Sequence, residues 1–350
     1  MSSRTADAIV IGDGIIGLTS ALALAESGAS CVVVGRTTTG AASAASAGLL
    51  APSIGSANDA FRSLMLASRD RYPAWVKWLT DRTGRAITLN RLGIIDVSGA
   101  VSPTAERLDR SSLHSLEPAI AHEGPAVLFR DDGYVDNVQL LAALRIAARA
   151  EARIAMLDDR VVGIDAQRTT CTVDTQERHR LDGAVAIVAA GAWSSTILGI
   201  PRPVPVEPVR GQMLQLEGCP LRHAVSLDNA YLVPRGDYTL VGSTLERVGF
   251  ENATTSAALE TLRRAAGSAI PALATASVHS AWAGLRPMTP DGMPLIGRDP
   301  ARESVVYACG HGKNGILLAP ITGECVAALV TGTPMEFDLD HLGIERFPTR

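Results

Sequence analysis

The segment between residues 8 and 34 constrains this chain more than any other. Ala8-Ile-Val-Ile11 is a short run of β-formers, and Gly12-Asp-Gly14-Ile-Ile-Gly17 follows at once. An Ala/Leu-rich stretch from Leu18 to Ser27 then has helical character until Gly28 stops it, and Cys31-Val-Val-Val34 supplies a second strand. Each glycine has its reason: Gly12 permits the tight turn, Gly14 lets backbone approach a pyrophosphate, and Gly17 lets helix and strand pack closely. The helix N-terminus then faces the phosphate charge. The spacing predicts a Rossmann-like βαβ unit for a dinucleotide, hence an α/β fold. One residue departs from the pattern. Where the second strand normally ends in an Asp or Glu for the ribose hydroxyls, the chain reads Val34-Gly35-Arg36. Arg36 would suit a 2′-phosphate, while Gly35 would leave the ribose to backbone or water. Asp13, inside the turn, puts a negative charge near a pyrophosphate.

Composition removes other classes. Of 32 basic residues only Lys77 and Lys313 are lysines and thirty are arginines. Schiff-base chemistry with pyridoxal phosphate needs a buried lysine, and neither has a fitting context. A net charge of −4 with dispersed arginines lacks the footprint of a nucleic-acid binder. No apolar run reaches the ~18–20 residues of a membrane span, and the first apolar stretch, broken by glycines and an aspartate, does not read as a signal peptide. Five cysteines without CxxC spacing point to reduced thiols and a cytoplasmic protein. Scattered histidines without HExxH give no support for a metal.

The remaining chain alternates in character. A Gly/Ala/Ser-rich stretch runs from Thr37 to Pro52, a helix is expected from about Asn58 to Thr80, and a strand from Ala86 to Ser98. Asp136 or Asn137 caps a helix to Ala150, β-signals follow at Val161 to Ile164 and Cys171 to Val173, and Ala184 to Trp193 is a buried strand entering a glycine turn. Pro-rich Ile200 to Pro208 reads as a crossing between domains. From Val209 to Ala283 short β-runs are interrupted by a helix at about Ser256 to Ala266, as in an antiparallel α+β unit. Val305 to Cys309, the glycine loop Gly310-His-Gly-Lys-Asn-Gly315 and a helix from Ile316 to Leu329 return to α/β character.

Six blocks in this order carry a family resemblance: Gly12-x-Gly14-x-x-Gly17, Ala47-Gly48-Leu-Leu-Ala-Pro52, Pro208-Val-Arg-Gly211-Gln, Tyr231-Leu-Val-Pro-Arg235, Gly284-Leu-Arg286-Pro with Asp291-Gly-x-Pro-x-Ile-Gly297, and Gly310-His-x-x-Asn-Gly-Ile-Leu-Leu-Ala-Pro320. Together they resemble FAD-dependent glycine oxidases of thiamine synthesis, within the D-amino-acid oxidase superfamily, over nearly the whole chain. The resemblance implies a glutathione-reductase-type FAD domain from segments 1–83, 135–205 and 284–350, and a substrate domain with an antiparallel sheet from 84–134 and 206–283. By position, Ile15 and Ile16 would meet the pyrophosphate, Gly35 and Arg36 the ribose, and the backbone of Val161 the adenine. Ala42, Ser43, Ala47, Gly48 and Leu49 would run along the flavin. His311, Gly312, Lys313, Asn314, Gly315, Ile316 and Leu317 would cradle its ring, where helix N-terminal amides stabilise charge arriving on reduction.

The same resemblance makes Arg286 the carboxylate clamp, since a guanidinium matches a carboxylate bidentately; the bland alternative is an ion pair with Asp291. Tyr231 would add a phenol, Leu245 a pocket wall, and Lys313 a cation where relatives carry arginine. His311 is expected to shape the flavin loop rather than act as a base, because amine dehydrogenation needs orientation more than proton transfer. No catalytic base and no metal is assigned, and with no cysteine near Arg286-Pro-Met the FAD should be noncovalent. The implied reaction is oxidation of glycine or a small D-amino acid by hydride transfer to flavin N5, with O2 reoxidation giving hydrogen peroxide. A dehydrogenase with a quinone-type acceptor, or a non-catalytic nucleotide-binding module, is the alternative. The oligomeric state stays open, a homo-oligomer included.

Overall fold

The computed structural model describes residues 4–55, 58–99 and 105–348, so the outer ends of the expected domain segments, 1–3 and 349–350, lie outside the described residues. Five strands run parallel in the order Ile154–Leu157, Cys31–Val34, Arg4–Ile11, Arg180–Val188 and Val305–Cys309. Antiparallel pieces extend this sheet. Cys171–Thr175 and Val161–Ala166 form a hairpin beside the start of Arg180–Val188, and Leu295–Arg298 pairs with Val305–Cys309. Cys31–Val34 and Val305–Cys309 are buried along their whole length, as strands covered on both faces must be.

Helices Ile15–Glu26, Asn137–Ala150 and Gly315–Thr331 cover one face, placing Leu18, Leu22, Leu140, Leu144 and Ile321 in one core with Val10, Val33 and Val185. Ile15–Glu26 begins at Gly14 without a side-chain cap. A missing cap costs about 1 kcal/mol, whereas each fully buried Leu contributes about 1.5–3 kcal/mol, so burial, not a cap, holds the helix. The long helix Asp59–Thr83 packs on the same core, and Asn58 caps it by accepting from the Phe61 amide at 2.8 Å.

A second eight-stranded sheet has Val278–Met288 and Glu207–Glu217 at one edge, then Tyr238–Gly242, Tyr231–Arg235, Ala224–Ser226, Ile94–Asp96, Ala126–Phe129 and Glu106–Leu108. It differs from expectation in three ways. The sheet is mixed rather than antiparallel, since Ile94–Asp96 runs parallel to Ala224–Ser226. The strands Glu207–Glu217 and Val278–Met288 are eleven residues long, not short runs. The single strand expected from Ala86 to Ser98 is two strands, Leu89–Asn90 and Ile94–Asp96, in different sheets; Gly93 between them has φ +108° and turns the chain out of the first. The helix expected to stop near Ala266 continues to Ala269. The segment divisions at 134/135 and 283/284 fall inside strands Gly133–Val135 and Val278–Met288.

Candidate active site

A cavity of about 950 Å³ lies between the C-terminal ends of the parallel strands, at Ile11, Val34, Ala189 and Cys309, and the second sheet, at Met213, Tyr231 and Trp282. That is where open α/β sheets bind ligands. Of the cofactor- and substrate-site residues expected from the sequence, all but two line it; Gly17 and Leu317 do not. Gly17 instead supports the turn, since a Cβ there would overlap the Gly12 carbonyl. The Leu317 side chain is in the core, and its carbonyl accepts from Ser68 Oγ at 2.7 Å.

At the nucleotide end, Gly12 has φ +117°, a conformation side chains rarely adopt. The Ile15 amide donates to Ser43 Oγ at 3.0 Å, so the short helix Ala42–Ala45 is tied to the turn. Asp13 does not present a bare charge to the turn: Arg145 of helix Asn137–Ala150 pairs with it at 3.0 Å. Nor is Arg36 free for a 2′-phosphate. It is held by Asp158 at 3.1 Å and by Glu177.

The middle of the cleft is fixed by side chains gripping backbone. Asn137 Nδ2 donates to the Ser43 carbonyl at 2.9 Å, Trp282 Nε1 to Ala45 at 2.9 Å, and Arg235 Nη2 to Ala47 at 2.8 Å. Facing this strip, the helix Gly315–Thr331 begins at Asn314, again without a side-chain cap. His311 is buried and its Nε2 lies 3.1 Å from Thr322 Oγ1. Burial lowers its pKa from 6.5 to about 3, so it is neutral near pH 7. Lys313 is exposed at the cleft and has no ion pair among the described residues.

At the substrate end, Arg286 on Val278–Met288 lies flat over Gly211, where any Cβ would overlap its guanidinium. It donates to the Thr244 carbonyl at 3.0 Å and to Ser243 Oγ. It has no carboxylate partner among the described residues. Asp291, the local acid that might have neutralised it, is taken by Arg346 at 2.7 Å. Tyr231 lines the same end and its hydroxyl donates to Met213 Sδ at 3.3 Å.

Behind Ser243 and Thr244 stands a polar network that no local pattern announces. Thr244 Oγ1 accepts from the Gln212 amide at 2.9 Å and donates to Glu246. Gln212 Nε2 donates to Glu246 at 2.8 Å, and buried Arg210 pairs with Glu246 and, at 3.0 Å, with Glu251. Burial opposes ionisation of Glu246, but the hydrogen bonds from Thr244, Arg210 and Gln212 outweigh it and hold its pKa below the usual range. Trp282, Met213 and Arg145 were likewise invisible in the sequence. Each lies within an ordinary strand or helix, and only the fold turns it to the cleft.

The residues present fit FAD. Two uncapped helix N-termini open on one elongated cavity, one suited to a pyrophosphate and one to negative charge on a reduced ring, and small residues line the path between.

Comparison with known proteins agrees. The model of the FAD dependent oxidoreductase (DAO) family matches residues 7–329. The glycine oxidase of Bacillus licheniformis is 31% identical, covering 94% of each chain. The bifunctional protein ThiO/ThiG of Synechocystis sp. is 35% identical over 99% of this chain, and the chain spans about half, 54%, of that protein's length. The crystal structure of glycine oxidase from Geobacillus kaustophilus superposes with a TM-score of 0.92 at 27% identity, covering 99% of this chain and 100% of that one. The chain belongs to the FAD dependent oxidoreductase family.

Proposed function

We propose that this chain oxidises glycine or a small D-amino acid to the imino acid, which water then converts to the 2-oxo acid and ammonia. The observation that carries this reading is Arg286, a cleft-lining guanidinium with hydrogen bonds to Thr244 and Ser243 and no carboxylate of its own. A substrate α-carboxylate supplies the missing partner. Tyr231 lines the same cleft and would turn its hydroxyl from Met213 to the carboxylate as a second donor, while Met213, Trp282 and the largely exposed Leu245 line the site around it.

FAD, when bound, supplies the two-electron acceptor for the Cα–H hydride. The protein's share is orientation. Arg286 fixes the carboxylate, and the amine has to be deprotonated before hydride transfer; His311, buried and engaged with Thr322, is read as shaping the loop and not as the base. The cofactor is read as noncovalent: Cys309 is the cysteine lining the cleft, and burial pushes its thiol up to about 12, away from the reactive thiolate. Pairing of Asp13 with Arg145 removes the charge argument for a non-catalytic module.

Dioxygen is proposed as the acceptor, and thiamine synthesis as the context by likeness to the ThiO/ThiG protein. No helix among the described residues is long and apolar enough to cross a membrane; five free cysteines support a cytoplasmic location. Purified protein should release peroxide with glycine, sarcosine or D-alanine. Silence in that assay with reduction of a dye acceptor would replace the oxidase by a dehydrogenase, and silence in both would overturn the reading.

A further inference from the structure

Two departures from the dinucleotide pattern meet in space. Gly35 removes the side chain from the place where an acid normally serves the ribose, and Asp13 adds a carboxylate inside the glycine turn. A Cβ built on Gly35 would stand 2.5 Å from Asp13 Cβ, 2.8 Å from Asp13 Cγ and 2.6 Å from the Asp13 amide nitrogen. The last atom is backbone, so no side chain at position 35 can enter without moving the turn. The two strand ends are stitched together at this point, with the Gly12 amide donating to Val34 at 2.8 Å and the Gly35 amide to Leu157 at 3.1 Å. Asp13 therefore carries its carboxylate over the residue that lacks one.

That carboxylate is oriented and half engaged. Oδ2 accepts from Arg145 Nη2 at 3.0 Å, while Oδ1 has no donor among the described residues; the side chain is partly exposed and lines the cleft. An ionised carboxylate offers about four lone-pair sites, enough for a guanidinium and a diol together. Arg36, the other polar candidate near the ribose, is consumed by Asp158 and Glu177.

We propose that Asp13 is the ribose-binding acid of this chain, accepting from the adenosine ribose hydroxyls of FAD through Oδ1. Arg145 aims it and cancels its charge toward the neighbouring pyrophosphate. The acid has moved from the second strand to the glycine turn, and the glycine at position 35 is the space it needs. This rests on the FAD family membership and not on the amino-acid substrate.

Nucleotide affinity tests it without reference to turnover. Flavin fluorescence released on diluting the holoenzyme should show FAD bound on the order of 10-fold more weakly by Asp13→Ala, the size of a hydrogen bond to a charged group. The full-length chain stripped of flavin should prefer ADP to 2′-deoxy-ADP by a similar factor, and the preference should vanish in the variant. Asp13→Gly, which asks least of the turn, takes its place if Asp13→Ala does not fold. Unchanged FAD affinity, tighter binding without the carboxylate, or an ADP preference that survives its loss would each overturn the assignment. A wild-type chain that binds no FAD at all would fail the cofactor reading instead.

Discussion

The two ends of the cleft are built from different materials. The nucleotide end is mostly backbone: a glycine turn, two uncapped helix starts and a strip of small residues whose carbonyls are gripped from outside. The substrate end is side chain: Arg286, Tyr231, Met213 and Trp282 from three strands, with a partly buried network of Gln212, Thr244, Glu246 and Arg210 behind them. Backbone sites tolerate exchange of side chains but not added atoms. Side-chain sites tolerate small shifts of shape but not loss of a charge. The same cleft should therefore fail in two distinguishable ways.

The largest effect is expected at Arg286. Arg286→Ala should raise KM for the amino acid on the order of 10²-fold or more with the flavin spectrum intact, because a desolvated charge pair is worth about 2–5 kcal/mol; an unchanged KM would break the contrast. Gly12→Ala should do the reverse. Its Cβ would overlap the Ala189 carbonyl at a φ of +117°, costing about 1–3 kcal/mol, so flavin occupancy and Tm should fall while KM of the remaining holoenzyme stays put. Next comes the network behind the clamp. Glu246→Gln loosens Thr244 and, through it, the carbonyl that orients Arg286, so KM should rise roughly 10-fold, the size of one charged hydrogen bond, with kcat nearly unchanged. A matched loss of kcat would assign Glu246 to folding alone.

A smaller, pH-dependent effect belongs to His311. The folded chain keeps it neutral down to about pH 3, whereas an unfolded histidine takes up a proton near pH 6.5. Between these values the unfolded state binds more protons, so stability is complete above about pH 6.5 and declines as pH falls. Tm measured from pH 7.5 to 5 should drop more steeply for the wild-type chain than for His311→Gln; parallel curves would refute it. The smallest change is expected at exposed Lys313, where Lys313→Arg should alter substrate preference only a few-fold, since the charge is kept and only the planar fork is gained.

How far the sequence reached follows from the same contrast. Gly12, Gly14 and Gly17 sit within six residues of one another between two β-runs, and such local spacing specifies a turn whatever the rest of the chain does. The helix capped by Asp136 and the strand Val305–Cys309 were legible for the same reason. The strand Ile94–Asp96 was not. Its β-branched run looked continuous with Leu89–Asn90, and only pairing with Ala224–Ser226, some 130 residues away, decides which sheet it joins.

Arg286 could be picked from thirty arginines by the block that contains it, but its freedom from Asp291 depends on Arg346, fifty-five residues further on. By itself, the sequence determined the dinucleotide turn, the α/β core and the order of the family blocks, because neighbouring residues write backbone geometry directly. Which charges are paired, Asp13 with Arg145 and Asp291 with Arg346, and that Arg286 keeps no carboxylate partner among the described residues, only the tertiary structure decided, because an ion pair depends on distance in space.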